Sequence, residues 1–116
     1  MVTGTYGFMS PEVASCSHAS PSSDMWCLGV VVYMMVSGGL EPFWRGNQVQ
    51  TQRRTIRAQY SFSDQAFQRV SDLAKQFIEG LLQLQPNKRM TALTAMRHMW
   101  MRTEPATSPK VSQGIP

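Results

Sequence analysis

Between Pro21 and Val36 the chain is apolar nearly all round: Met25, Trp26, Leu28, Val30, Val31, Val32, Tyr33, Met34, Met35 and Val36 leave no polar stripe. A helix of that kind is expected to be enclosed on every side. The three consecutive valines favour a strand. The length of the segment favours a helix, as does Ser20-Pro21 at its start, a capping residue followed by proline at the first helical position. Ser37-Gly38-Gly39 closes it. A second apolar pattern is more regular. Leu73, Ala74, Phe77, Ile78, Leu81 and Leu82 recur at helical spacing behind Ser71 and form one stripe, and Pro86 follows.

Shorter elements are predicted around these two. Ser10-Pro11-Glu12 combines a cap, a first-turn proline and an acid at the positive helix end, so a short helix is expected from Pro11 to Ala14 or Ser15. Leu40 to Asn47 reads as a loop. Asn47 caps a polar helix over Gln48 to Arg57, with Val49 and Ile56 as its sparse apolar face, and so polar a helix belongs on the surface. Tyr60 to Phe62 reads as extended, and Asp64 caps one turn ending near Phe67. Thr91 caps a last helix carrying Leu93, Met96 and Trp100. The stretch from Thr103 to Pro116 has three prolines and no periodicity, which predicts a disordered tail. The expected fold class is all-α, a buried central helix surrounded by shorter ones.

Composition narrows the functional classes. The chain has 116 residues, 42% hydrophobic and 16% charged, which suits one globular domain rather than a disordered one. The formal charge of +4 predicts a mildly basic surface. The densest basic cluster is Arg53, Arg54 and Arg57, with Arg45 nearby; no aromatic residues interleave with it, which argues against nucleic acid as a partner. Cys16 and Cys27 form no CxxC, and His18 and His98 have no ligands at useful spacing, so no metal site is expected. Two free thiols suit the reducing cytoplasm. The longest apolar run, Cys27 to Val36, is too short to span a bilayer, and no membrane association is predicted.

Several short motifs occur in a fixed order: Gly4-Thr5, Ser10-Pro11-Glu12, Asp24-x-Trp26-x-x-Gly29, Ser37-Gly38, Pro42-Phe43, Pro86-x-x-Arg89 and His98-x-Trp100. The set resembles the second half of a eukaryotic protein kinase catalytic domain. The stretch from Tyr60 to Thr91 is most similar to the calmodulin-dependent, myosin-light-chain and giant muscle kinase group. The resemblance runs from Gly4 to about Met101 and implies a partial kinase domain over residues 1–102. That part is the helical C-terminal lobe of a kinase-like fold, with the N-lobe absent.

The resemblance implies roles for individual residues. Gly4, Thr5, Tyr6, Phe8 and Met9 correspond to the loop that shapes the pocket for the peptide substrate. Ser10, Pro11 and Glu12 correspond to the motif ending the activation loop, with serine in place of alanine. Glu12 and Arg89 correspond to an ion pair tying this loop to the last helices. Asp24 corresponds to a carboxylate that accepts hydrogen bonds from the backbone of the catalytic loop. Trp26 and Gly29 correspond to core positions. Without the resemblance, Thr5 reads as a turn threonine, Glu12 and Arg89 as unrelated surface charges, and Asp24 as a helix cap. The chain departs from the family pattern in four places. Met34 stands where some kinases read a basic substrate residue with glutamate, and the loop through Gly39-Leu40-Glu41 is one residue longer. Gln85 replaces an aspartate, and Met99 replaces a proline.

Phosphoryl transfer in the family needs a glycine-rich loop, a strand lysine held by a helix glutamate, and the His-Arg-Asp and Asp-Phe-Gly motifs. None of them occurs in this sequence. The chain by itself is therefore expected to have no catalytic residue, no ATP site and no activity, with ATP and magnesium implied only for a complete kinase. The reading is a piece of a serine/threonine kinase whose partners are the missing N-lobe and catalytic loop and a protein or peptide substrate or regulator. The alternatives are a non-catalytic lobe that binds a protein partner, through the Gly4–Met9 loop or through Arg53, Arg54 and Arg57, and a nonfunctional remnant. Apolar surface meant for the absent half predicts a marginally stable chain that tends to associate.

Overall fold

The computed structural model describes residues 7–102, and the described residues are helical with no strand. The order is α1 (Pro11–Ala14), α2 (Pro21–Ser37), α3 (Gln48–Ile56), a 3-10 turn (Gln65–Phe67), α4 (Asp72–Leu81), a second 3-10 turn (Pro86–Lys88), α5 (Ala92–Met96) and α6 (Met99–Arg102). The expected tail after Thr103 lies outside the described residues.

Local chemistry sets most boundaries. The Ser10 hydroxyl accepts the Val13 amide, Asn47 accepts that of Gln50, Asp64 that of Ala66, Ser71 that of Ala74 and Thr91 that of Thr94. Each cap satisfies an amide that has no partner within its helix, and loss of one typically costs about 1 kcal/mol. Ser20 and Ser23 form a reciprocal capping box at the start of α2, with Pro21 in the first turn. Gly38, at φ 79°, ends α2 in the left-handed region that glycine enters without a steric cost.

Helices α2 and α4 cross at the centre. A Cβ placed on Gly29 of α2 would lie 2.8 Å from Leu81 Cβ and 2.8 Å from Leu82 Cδ2, so glycine is what lets the two backbones approach. Trp26, Val30, Phe43, Phe67, Ile78 and Leu81 are buried around this crossing. A chain of rings extends the core sideways: Trp26 stacks on Phe43 at 5.2 Å, Phe43 meets Tyr60 at 5.8 Å, and Tyr60 meets Phe62 at 5.6 Å. Phe62 meets Phe67 at 5.1 Å and Tyr33 meets Phe67 at 4.7 Å. The segment from Tyr60 to Phe62 adopts no regular element, and these ring contacts hold it in place. The Tyr33 hydroxyl also donates to the Ser61 carbonyl at 2.8 Å.

Three expectations are corrected. Helix α2 is not enclosed on every side: Asp24, Leu28, Val31 and Met35, spaced as one helical stripe, are exposed, Met35 by 73%. An all-apolar sequence reports that both faces avoid water, not which element covers each. The last helix is broken in two. The Arg97 and His98 amides turn back onto Leu93 and Ala95, and His98 Nδ1 accepts the Trp100 amide at 3.0 Å, starting α6. Trp100 packs on Phe77 at 4.9 Å between ring centres, while Leu93 and Met96 face solvent. On α3 the expected polarity is inverted. Thr51 and Thr55 are fully buried, whereas Val49 and Ile56 point outward. Burying a side chain of that size contributes about 1.5–3 kcal/mol, which the helix forgoes at two positions.

Candidate functional site

The described part of the site is built around Arg89, at the end of the Pro86–Lys88 turn. Its side chain is entirely buried. Nη1 and Nη2 donate to the two carboxylate oxygens of Glu12 at 2.9 and 3.1 Å, a bidentate pair. Nη1 also donates to the Ser22 carbonyl at 2.9 Å, Nε and Nη2 to the Gln83 carbonyl at 3.0 and 2.9 Å, and Nη2 to that of Leu84 at 3.2 Å. The guanidinium lies 5.1 Å above the Trp26 ring centre. One arginine thus holds α1, the start of α2 and the end of α4 together.

Glu12 is the anionic half. Burial alone would raise its pKa. The Arg89 hydrogen bond, its own backbone amide and the Ser23 hydroxyl, which donates to Oε2 at 2.9 Å, outweigh burial and bring it down to about 2. The carboxylate is therefore charged throughout the neutral range.

This staple fixes the loop leading into α1. Ser10 and Pro11 are buried beside it. Phe8 packs on the core, and its carbonyl accepts the Cys27 thiol at 3.0 Å. Phe8 and Met9, with Ser10, Val13, Ala19, Ser23, Asp24 and Cys27, surround an apolar cavity of about 250 Å³. Gly4, Thr5 and Tyr6 lie outside the described residues. Asp24 is at this cavity but exposed, and among the described residues no hydrogen bond reaches its carboxylate. The capping at the start of α2 is done by Ser20 and Ser23 rather than by Asp24, and the catalytic-loop backbone that the resemblance gives Asp24 as a partner is not among the described residues. Trp26 serves as more than packing, because it is the face under Arg89.

Of the basic cluster, Arg53 and Arg57 are exposed and Arg54 is half-buried, far from the staple in sequence. The sequence assigned no site role to Ser22 or Ser23, and Cys27 read only as a small buried apolar residue. Nothing in their spacing distinguishes them from ordinary helix-start residues, and only the fold brings them to Glu12 and Phe8.

The resemblance implies ATP and magnesium for a complete kinase. Among the described residues no three His, Cys, Asp or Glu side chains converge as metal ligands. No described helix is long and apolar enough to cross a membrane.

The family model for the protein kinase domain matches residues 1–101. Human serine/threonine-protein kinase H1 is 42% identical over 105 residues, covering 90% of this chain and 24% of its own length. Mouse myosin light chain kinase 2 of skeletal and cardiac muscle is 39% identical over 98 residues, covering 84% of this chain and 16% of its own length. The twitchin kinase region from C. elegans superposes with a TM-score of 0.83 at 38% identity, over 92% of this chain and 19% of that one. The autoinhibited serine kinase domain of titin superposes with a TM-score of 0.82 at 33% identity, over 90% and 33%. The chain spans about a quarter or less of the length of the curated relatives it matches. The buried Glu12–Arg89 staple, the α2–α4 crossing at Gly29 and these matches lead to one conclusion: the chain belongs to the protein kinase family, as a helical, C-lobe fragment of the kinase domain with serine/threonine kinases as its homologues.

Proposed function

We propose that this chain is the peptide-side part of a serine/threonine protein kinase that, as a complete protein, transfers the γ-phosphoryl group of ATP to protein serine or threonine. The carrying observation is the Arg89 staple. It ties α1 to α2, and the Cys27 thiol of α2 donates to the Phe8 carbonyl just before α1, which suits a surface against which a substrate peptide is positioned. Gly4, Thr5, Tyr6, Phe8 and Met9 shape the pocket for the substrate residue, and Glu12 with Arg89 sets the loop's height. Asp24 meets the backbone of the catalytic loop from elsewhere in the domain. ATP and magnesium are held by that other part, and residues 1–102 act as one structural unit.

The test compares the 116-residue chain with a longer protein carrying the upstream kinase motifs. The longer protein is expected to transfer labelled phosphate to a serine peptide. The chain alone is expected to transfer none and to show no change in Tm with ATP and magnesium. A saturable Tm rise in the chain alone, or no transfer by the longer protein, would overturn the reading. A second reading, a non-catalytic lobe that binds a protein partner, is favoured by the exposed arginines of α3.

A further inference from the structure

Helix α3 is inverted relative to an ordinary surface helix. Thr51 and Thr55 face inward with no exposed area, and the Thr55 hydroxyl has no hydrogen-bond partner. Val49, Arg53 and Ile56, four and then three residues apart, face outward, with Arg57 at the C-terminal end of the same side. Val49 is 58% and Ile56 41% exposed. The result is an outward strip on which two branched apolar side chains alternate with two arginines.

The charges on this strip are unanswered among the described residues. Among the described residues the one ion pair is Glu12–Arg89, and no carboxylate contacts Arg53, Arg54 or Arg57. Like charges crowd the helix further: Arg53 and Arg57 are one turn apart, and Arg54 lies close enough to Arg45 to lower its pKa, in addition to burial. Arg54 Nε is buried without a partner. A helix that carries only cations, has no acid in its first turn and keeps its aliphatic side chains in water is matched by a surface bearing both missing complements.

We propose that the outward face of α3 is a docking surface for an acidic protein segment whose carboxylates flank apolar side chains. Carboxylates would pair with Arg53 and Arg57, and apolar side chains would cover Val49 and Ile56. This binding needs no nucleotide and does not depend on whether the complete protein transfers phosphate.

The test uses the 116-residue chain and a fluorescein-labelled synthetic peptide in which leucines recur at helical spacing among glutamates. Fluorescence anisotropy is expected to show saturable binding that weakens with salt. Arg53→Glu/Arg57→Glu is expected to weaken it by about tenfold or more, and Val49→Ser/Ile56→Ser by roughly fivefold or more. Arg53 and Arg57 are exposed, so Arg53→Glu/Arg57→Glu should keep the parental Tm, Val49→Ser/Ile56→Ser should lower it only modestly while leaving the chain folded, and Arg53→Lys/Arg57→Lys should retain most of the binding. Five results would overturn the proposal: no saturable binding, undiminished binding by either double variant, equal binding of a lysine-for-glutamate peptide, flotation with phosphatidylserine vesicles in place of peptide binding, or self-association through this face that excludes the peptide.

Discussion

Replacing Glu12 by glutamine separates the charge of the staple from its shape. Glutamine keeps the length of the side chain and one acceptor oxygen, so Arg89 retains its three carbonyl partners and its seat over Trp26. What disappears is the anion. Its folded-state pKa of about 2 lies below the ordinary 4.5, so the carboxylate stabilises the fold fully above about pH 4.5 and loses that contribution as pH falls toward 2. The shift corresponds to at most about 3 kcal/mol, and to about 2 kcal/mol once solvent screening at the partly exposed Glu12 is counted. The assay is urea unfolding followed by tryptophan fluorescence, from pH 7 to pH 3. Glu12→Gln is expected to be less stable than the parent by about 2 kcal/mol at pH 7, with roughly half of that gap gone by pH 3. Arg89→Met should be worse at neutral pH. It strands a carboxylate and the carbonyls of Ser22, Gln83 and Leu84, and a broken buried pair alone costs about 3–5 kcal/mol, a large share of a small domain's stability. A pH-independent gap between Glu12→Gln and the parent would refute the electrostatic account. So would an Arg89→Met protein as stable as Glu12→Gln.

Three further outcomes are expected. Gly29→Ala drives a Cβ into Leu81 and Leu82 and should cost about 1–3 kcal/mol, whereas Gly80→Ala meets the flexible end of Met90 and should be nearly neutral in the same melt; equal effects would discount the close crossing at Gly29. A thiol reagent should label exposed Cys16 promptly and Cys27 only slowly, because burial and then the Asp24 charge push the Cys27 thiol up; faster reaction at Cys27 would contradict its placement. The exposed Leu28, Val31 and Met35 stripe should make the chain self-associate in sedimentation velocity, and Val31→Glu/Met35→Glu should shift it toward monomer; a parent that stays monomeric at every concentration would refute this.

The sequence was most legible where chemistry is local. Ser10, Asn47, Ser71 and Thr91 each announced a helix start because a capping hydroxyl or amide acts within one turn. The stripe of α4 was legible because one of its faces is polar. On α2 the same logic misled: its two faces look alike, and sequence cannot distinguish a face covered by Leu81 and Leu82 from one left open. Asp24 shows this sharply, since its carboxylate is exposed while Trp26, two residues on, is fully buried. The inversion of α3 was hidden because threonine and valine have nearly the same shape, and only tertiary packing decides which points inward. The pairing of Glu12 with Arg89 came through motif order, but the carbonyls that complete the arginine's shell belong to residues whose side-chain identity carries no signal.

Glu12 and Arg89 are 77 positions apart along the chain. During synthesis Glu12 therefore emerges well before Arg89, and its carboxylate has no guanidinium to pair with until the helices between them have been made. Closing so large a loop carries an entropic cost, which predicts that α1 docks late in folding. A chain interrupted between these two residues would carry the Glu12 carboxylate without the arginine that seats it.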